Sequence, residues 1–167
     1  MHRSTRIPLR VPETTVRRSR PRKRPDRGLM DTSIVIDLDR IDASVFPHEL
    51  AISAVTLAEL AAGPHATNDP LERAIRQDRL QRAESTFDPL PVDSGVARAY
   101  GRIYAAVVAA GRKSRGRRAL DLFVAATALA ADIPLYTRNP DDFRDLDALV
   151  EVVAVGERRN QRPSRRS

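Results

Sequence analysis

The sequence contains no cysteine and no tryptophan, and aromatic residues make up only 4% of it. Without cysteine there is no disulfide framework, no thiol catalysis, no zinc ribbon and no iron–sulfur cluster. So few aromatic side chains argue against nucleic-acid binding by stacking of bases on exposed rings. Any nucleic-acid chemistry of this chain must therefore depend on charge and on a metal ion.

Long apolar runs are missing as well. The chain has no stretch of about 18 apolar residues, the length of a membrane-spanning helix, so we expect no membrane partner. The charged N-terminus is not followed by the apolar segment that a secretory signal contains. We therefore expect a cytoplasmic protein.

Charge is distributed unevenly along the 167 residues. The net charge is +7, but residues 1–29 carry +8 and residues 156–167 carry +4, which leaves −5 for residues 30–155. The two terminal segments are rich in arginine and poor in aliphatic side chains, so they cannot bury enough surface to offset the entropy lost on ordering. We predict a disordered leader over 1–29, one domain over 30–155 and a disordered basic tail over 156–167.

Strand and helix patterns alternate between these tails. The patterns predict a strand running into a helix over 30–39, strands over 50–53, 133–136 and 150–155, and helices over 55–62, 71–84, 95–110 and 119–131. This alternation predicts an α/β domain in which helices cover both faces of a mainly parallel sheet.

Three acidic residues lie among apolar neighbours in this pattern. Asp31 follows the first strand, Glu59 lies in the helix over 55–62, and Asp121 lies in the most apolar helix. If the three carboxylates converge they repel one another, and a divalent cation would relieve that repulsion. Oxygen ligands without cysteine favour Mg²⁺, with Mn²⁺ as a substitute.

Each of these acids also has a purely structural interpretation. Asp31 can cap the N-terminus of the helix that follows it. Glu59 can face solvent, and Asp121 can complement the dipole in the first turn of the helix over 119–131. Spacing alone leaves both interpretations open.

Four sequence blocks extend the comparison beyond single residues. They are MDTS at 30–33, SAVTLAEL at 53–60, DLFVAATA at 121–128 and YTRNPDDF at 136–143. In this order they resemble the PIN-domain ribonucleases, and specifically the VapC toxins of type II toxin–antitoxin pairs, over residues 30–155. The resemblance implies a PIN-like α/β/α sandwich with a mainly parallel central sheet.

The resemblance also implies a set of site residues. In this family, acids hold Mg²⁺ or Mn²⁺, and RNA phosphodiester bonds are hydrolysed. Carried over residue by residue, the catalytic and metal-binding acids are Asp31, Glu59 and Asp121. The fourth is assigned to Asp142 with Asp141 as the alternative, because Asn139 stands where many relatives have aspartate.

A run of basic residues precedes Asp121. We expect these side chains to hold RNA phosphates beside the metal; they are Arg112, Lys113, Arg115, Arg117 and Arg118. Arg138 and Asn139 are predicted to add contacts near the scissile bond. The alternative for the run is that it stabilises the end of the helix over 95–110 and solubilises a loop.

Partners follow from the resemblance. It implies a homodimer and a VapB antitoxin whose C-terminal segment covers the acids. A groove for that segment could be lined by Val55, Leu57, Leu60, Leu71 and Ile75. The predicted function is thus a Mg²⁺-dependent endoribonuclease toxin inhibited by a cognate VapB antitoxin. The alternatives are a non-catalytic RNA-binding or regulatory protein of the same fold, and cleavage of DNA by the same chemistry.

The leader of 29 residues is unusual for this resemblance, in which the Asp-Thr-Ser block lies almost at the first residue. We expect that Met30 is the physiological start or that the leader is dispensable. The competing hypothesis is an arm that tethers RNA through its charge of +8.

Overall fold

The fold is taken from a computed structural model, which describes residues 26–112 and 117–156, with only the backbone of Arg117. Residues 1–25 of the predicted leader and 157–167 of the predicted tail lie outside this description. The sheet has four strands: β1 (Arg27–Met30), β2 (Glu49–Ala51), β3 (Leu135–Thr137) and β4 (Val152–Ala154). Their order is β2-β1-β3-β4, and every pair is parallel. The predicted α/β class with a mainly parallel sheet is confirmed.

Within residues 26–112 and 117–156, five helices surround the sheet: α1 (Thr32–Asp37), α2 (Ala54–Ala62), α3 (Pro70–Thr86), α4 (Ser94–Ala109) and α5 (Arg117–Ala131). Short 3₁₀ turns occupy Leu38–Arg40, Ala43–Val45, Gly63–Ala66 and Pro140–Phe143. Side-chain caps fix several helix starts, as the sequence suggests. Ser53 accepts a hydrogen bond from the amide of Thr56 and Asp93 accepts one from the amide of Val96. Within the described residues, no helix is long and apolar enough to cross a membrane.

The sheet has a core on each face. Leu29 of β1 and Leu135 of β3 belong to the core formed with α4 and α5. Met30 of β1 and Tyr136 of β3 belong to the core formed with α1, α2 and α3. Successive side chains of a strand point to opposite faces, so two adjacent apolar residues serve two cores. The result is an α/β/α sandwich.

The boundary predicted at residue 29 is wrong at its C-terminal end. Strand β1 begins at Arg27, and Leu29 is 0% exposed and pairs with both Ala51 and Leu135. A Cβ atom at Gly28 would lie 2.4 Å from the ring of Tyr136, so the position needs glycine. Composition assigned these residues to the disordered leader, because an arginine and a glycine do not indicate a central strand.

Candidate metal-binding and catalytic site

The carboxylate of Asp31 lies at the carboxyl end of the central strand β1, where ligand chemistry collects in a parallel sheet. Its Oδ1 accepts a hydrogen bond from the amide of Thr32 at 2.8 Å, so the predicted N-cap is present. Its Oδ2 accepts the hydroxyls of Ser33 at 2.7 Å and Thr137 at 2.9 Å. Asp31 is only 6% exposed, and within the described part of the chain no lysine or arginine forms an ion pair with it. Three neutral donors therefore contact a buried carboxylate with which no described lysine or arginine pairs.

The two hydroxyls are themselves fixed by the loop after β3. The amide of Arg138 donates to Ser33 Oγ at 3.1 Å, and the amide of Asn139 donates to Thr137 Oγ1 at 3.0 Å. A hydroxyl has one proton to donate, and here the amides occupy acceptor positions of the oxygens. The protons of Ser33 and Thr137 are thus directed at Asp31.

Glu59 reaches the same region from α2. The hydroxyl of Thr32 donates to Glu59 Oε2 at 2.5 Å. Thr32 directly follows Asp31 in the chain, so this contact lies next to Asp31. Glu59 is half-buried and lines a groove together with Thr32, which argues against the interpretation that it simply faces solvent.

Asp121 lies on α5 and is half-buried. The helix begins at Arg117, two residues before the predicted start, so Asp121 occupies its second turn rather than its first. The alternative role as a first-turn partner of the helix dipole is therefore wrong. The preceding residue, Leu120, lines the same groove as Thr32 and Glu59.

The two candidates for the fourth acid differ in their surroundings. Asp141 forms an ion pair with Arg144 at 2.7 Å. This hydrogen bond, and then the charge of Asp141, raise the pKa of the Arg144 guanidinium above its ordinary value. Asp142 is also exposed, and no described cation pairs with its side chain. Asp142 stays the favoured prediction because its carboxylate is not already paired.

The donor chemistry of these residues fits a hard divalent cation, since carboxylates are the ligands that Mg²⁺ and Mn²⁺ prefer. The arrangement is not a finished cluster. Over residues 26–112 and 117–156, no three His, Cys, Asp or Glu side chains are placed so that together they could hold a metal ion. In this arrangement Oδ2 of Asp31 accepts the hydroxyls of Ser33 and Thr137, and Oε2 of Glu59 accepts the hydroxyl of Thr32. The ligand set therefore stays a prediction.

Two of the predicted RNA contacts already have carboxylate partners. Arg112 pairs with Asp145 at 3.1 Å, and the guanidinium of Arg138 pairs with Asp37. Asn139 is exposed. Lys113 and Arg115 lie outside the described residues, as does the side chain of Arg117.

Arg118 differs from Arg112 and Arg138. Its Nε and Nη2 atoms are shielded from solvent and find no hydrogen-bond partner among the described residues. These two nitrogens form the edge of a guanidinium that binds a carboxylate or phosphate through parallel hydrogen bonds. Of the two described side chains of this run, Arg112 is paired and Arg118 keeps two unsatisfied donors.

Sequence reasoning missed the residues that hold the acids in place. Thr32, Ser33 and Thr137 contact Asp31 or Glu59 through their hydroxyls, and Asp37 holds Arg138. The available signal was weak: hydroxyl side chains directly after one strand and at the end of another. Their convergence depends on the pairing of β1 with β3.

An open groove of about 610 Å³ runs between α1, α2, α3 and the start of α5. Of the residues predicted to line it, Val55 and Leu60 do so, and Leu57, Leu71 and Ile75 do not. Leu71 and Ile75 are exposed on α3, and Leu57 packs against the core. Glu59 lies in the wall of the groove, as do Arg76 and Arg79 of α3.

Comparison with known proteins gives a consistent set of matches. The sequence profile of the PIN domain matches residues 29–149. Ribonuclease VapC5 of Mycobacterium tuberculosis is 37% identical over 140 residues, which covers 78% of this chain and 97% of that protein. Ribonuclease VapC of Rickettsia bellii is 31% identical over 132 residues, which covers 76% of this chain and 95% of that protein.

Solved structures agree with the sequence matches. The crystal structure of VapBC-5, a member of the VapBC family of toxin–antitoxin systems from M. tuberculosis, matches with a TM-score of 0.68 and 34% identity, covering 78% of this chain and 98% of that one. The structure of FitAcB from Neisseria gonorrhoeae matches with a TM-score of 0.60 and 26% identity, covering 74% and 94%.

Proposed function

Because this chain belongs to the PIN-domain family, and within it to the VapC ribonucleases, we propose that it is a Mg²⁺-dependent endoribonuclease and the toxin of a type II toxin–antitoxin module. The observation that carries the proposal is the buried carboxylate of Asp31, which ends the central strand and has no cationic partner among the described residues. We also propose a cytoplasmic location, because RNA, the proposed substrate, is present there.

The acids that would hold the metal are Asp31, Glu59, Asp121 and Asp142. A bound Mg²⁺ supplies an activated water and offsets the charge that develops on the phosphate. Each carboxylate oxygen has about two acceptor positions. At Asp31, two hydroxyls fill those of Oδ2, whereas Oδ1 accepts only the amide of Thr32. Asp31 is therefore suited to ligate through Oδ1 while Oδ2 anchors the side chain.

Thr32 positions Glu59 in the same way. Its hydroxyl donates to Oε2 and leaves Oε1 to face a cation or its water shell. Since Thr32 begins α1 directly after Asp31, a single turn of chain orients two acids. A hydroxyl side chain at position 32 is useful because it orients Glu59 while the amide of the same residue contacts Asp31.

RNA binding next to negative carboxylates needs positive charge. Arg118 supports this role because its Nε and Nη2 atoms are unsatisfied, and an unsatisfied buried donor costs about 1–3 kcal/mol that a phosphate contact would recover. Arg112 and Arg138 support it less, because Asp145 and Asp37 already neutralise them. Lys113, Arg115, Arg117 and Asn139 complete the proposed substrate-binding set.

A cognate VapB antitoxin is the proposed inhibitor. The groove offers apolar side chains such as Val55 and Leu60, with Glu59 in its wall and Arg76 and Arg79 contributed by α3. A segment with apolar residues, a basic residue near Glu59 and an acidic residue near α3 would match it in shape and charge.

A homodimer is proposed as well. Tyr104 and Val108 lie one turn apart on α4 and are 44% and 52% exposed, so a second copy could cover this face.

The test of the proposed function is cleavage of a mixed RNA by the full chain with Mg²⁺, with EDTA, and with single-stranded DNA in place of RNA. Asp31→Asn and Asp121→Asn are expected to abolish cutting. Asp39→Asn is the matched control, because Asp39 is exposed and its ion pair with Arg82 at 3.5 Å contributes at most about 1 kcal/mol. Salt-sensitive RNA binding without metal-dependent cutting would support the non-catalytic alternative. Equal cutting of DNA and RNA would support the alternative in which the protein cleaves DNA by the same chemistry.

A further inference from the structure

The loop between β3 and the buried Phe143 carries the fourth candidate acid, and most of its side chains are exposed. Asn139, Pro140, Asp141 and Asp142 are all exposed, whereas Phe143 is 1% exposed. Burial therefore does not fix the part of the loop that carries Asp142.

Arg138 is attached to α1 at two points. Its amide donates to Ser33 Oγ at 3.1 Å in the first turn of the helix. Its guanidinium pairs with Asp37 at the last residue of the helix, where the two side chains are 23% and 21% exposed. A half-buried pair is screened less than a surface pair and holds its geometry better.

The same helix also organises Asp31. Ser33 donates to Asp31 Oδ2, and Thr137, the residue before Arg138, donates to the same oxygen. Helix α1 thus fixes Asp31 at its N-terminus and the loop toward Asp142 through Arg138. The relative position of the two acids depends on these attachments.

Charge favours the same role. Arg138 is adjacent to Thr137, a direct partner of Asp31. The ion pair of Arg138 with Asp37 offsets positive charge that would otherwise oppose a cation at the acids.

We propose that Asp37 is a positioning residue, which acts through Arg138 to set the affinity of the acids for the divalent cation. This rests on the proposed function, and it assigns Arg138 to the organisation of the site rather than to RNA binding. Partners that orient metal ligands without touching the ion commonly change metal affinity by about 10–100-fold when mutated.

The experiment measures Mn²⁺ binding to the full chain by isothermal titration calorimetry, with thermal denaturation as the check of folding. Asp37→Asn and Arg138→Gln are each expected to weaken Mn²⁺ binding about tenfold. The exchanged pair, Asp37→Arg with Arg138→Asp, restores opposite charges and is expected to recover most of the affinity. Asp78→Asn is the matched control, because Asp78 forms an exposed pair with Arg82 on α3.

RNA cleavage separates positioning from substrate binding. Saturating Mn²⁺ is expected to recover most of the kcat of both single variants, with little change in KM for RNA. Unchanged Mn²⁺ affinity together with a raised KM would overturn the proposal and make Arg138 an RNA contact. If a variant unfolds, Arg138→Lys, which keeps the charge, must bind Mn²⁺ more tightly than Arg138→Gln. A wild-type chain that binds no Mn²⁺ would remove the proposed function itself and this proposal with it.

Discussion

Residues 26–29 are expected to be essential for folding, although they belong to the segment predicted to be a dispensable leader. A chain that starts at Met30 loses three of the four residues of β1, which lies between β2 and β3. A chain that starts at Asp26 keeps the whole strand. The two truncations differ by four residues and form a matched pair.

The magnitude follows from the contacts of these residues. Leu29 is fully buried, and loss of such a side chain costs about 2–5 kcal/mol. Backbone hydrogen bonds from Leu29 to Pro134 and from Glu49 to Asp26, each 2.9 Å long, contribute about 0.5–1.5 kcal/mol each. The exposed Arg27–Glu49 pair adds at most about 1 kcal/mol. The loss is thus on the order of 5 kcal/mol, comparable to the whole stability of a typical domain.

The assay is urea denaturation followed by far-UV circular dichroism. We expect the chain starting at Asp26 to unfold at the same urea concentration as the full chain. The chain starting at Met30 is expected to show no cooperative transition, or one at a much lower midpoint. Equal midpoints for the two truncations would refute the role assigned to β1 and would make Met30 acceptable as the first residue of the domain.

Three further predictions concern single residues. Thr32→Val removes the hydroxyl that holds Glu59 and is expected to weaken Mn²⁺ affinity about tenfold, whereas Thr32→Ser retains it; calorimetry checks both. Gly28→Ala places a methyl group against Tyr136 and should lower stability by about 1–3 kcal/mol in thermal denaturation, while Gly101→Ala in α4, with open space around it, should be neutral or stabilising. Arg118→Gln is expected to raise the KM for RNA and leave Mn²⁺ binding unchanged; an unchanged KM would exclude it as a phosphate contact.

The fold could be predicted because each element carries its own pattern. The alternation of strands and helices sufficed for a parallel sheet, and Asp31 was recognisable as the cap of the first helix. The errors lie where a local pattern is ambiguous. Arg27 and Gly28 do not resemble a central strand, and the need for glycine at position 28 is explained only by the Tyr136 ring in the next strand.

The predicted end of the helix over 55–62 is confirmed, since α2 ends at Ala62 with Gly63 as its C-cap. Gly63 has right-handed helical dihedral angles, and the chain continues into a 3₁₀ turn over Gly63–Ala66. Pro64 near the start of that turn is compatible with this, because proline lacks an amide that the first turn would leave unpaired in any case. The α-helix thus ends before the Gly-Pro pair, which begins a separate 3₁₀ turn.

The acids of the site could be proposed from strand ends and family resemblance, but their supports could not. Thr137 lies 106 residues from Asp31 in sequence, and the two meet only because Tyr136 pairs with Met30 in the sheet. Arg138 illustrates the limit most clearly. A basic residue in a loop near acids indicates a phosphate contact, and only the folded structure places Asp37 against it.

The central claim is that Asp31 and its neighbouring acids bind a divalent cation at the end of β1. Its most direct test is an anomalous difference map from a crystal soaked in Mn²⁺. The account predicts a peak bonded to Asp31 Oδ1 and to at least one of Glu59, Asp121 and Asp142. A map with no peak there, while Asp31 keeps only its contacts to Thr32, Ser33 and Thr137, would contradict it.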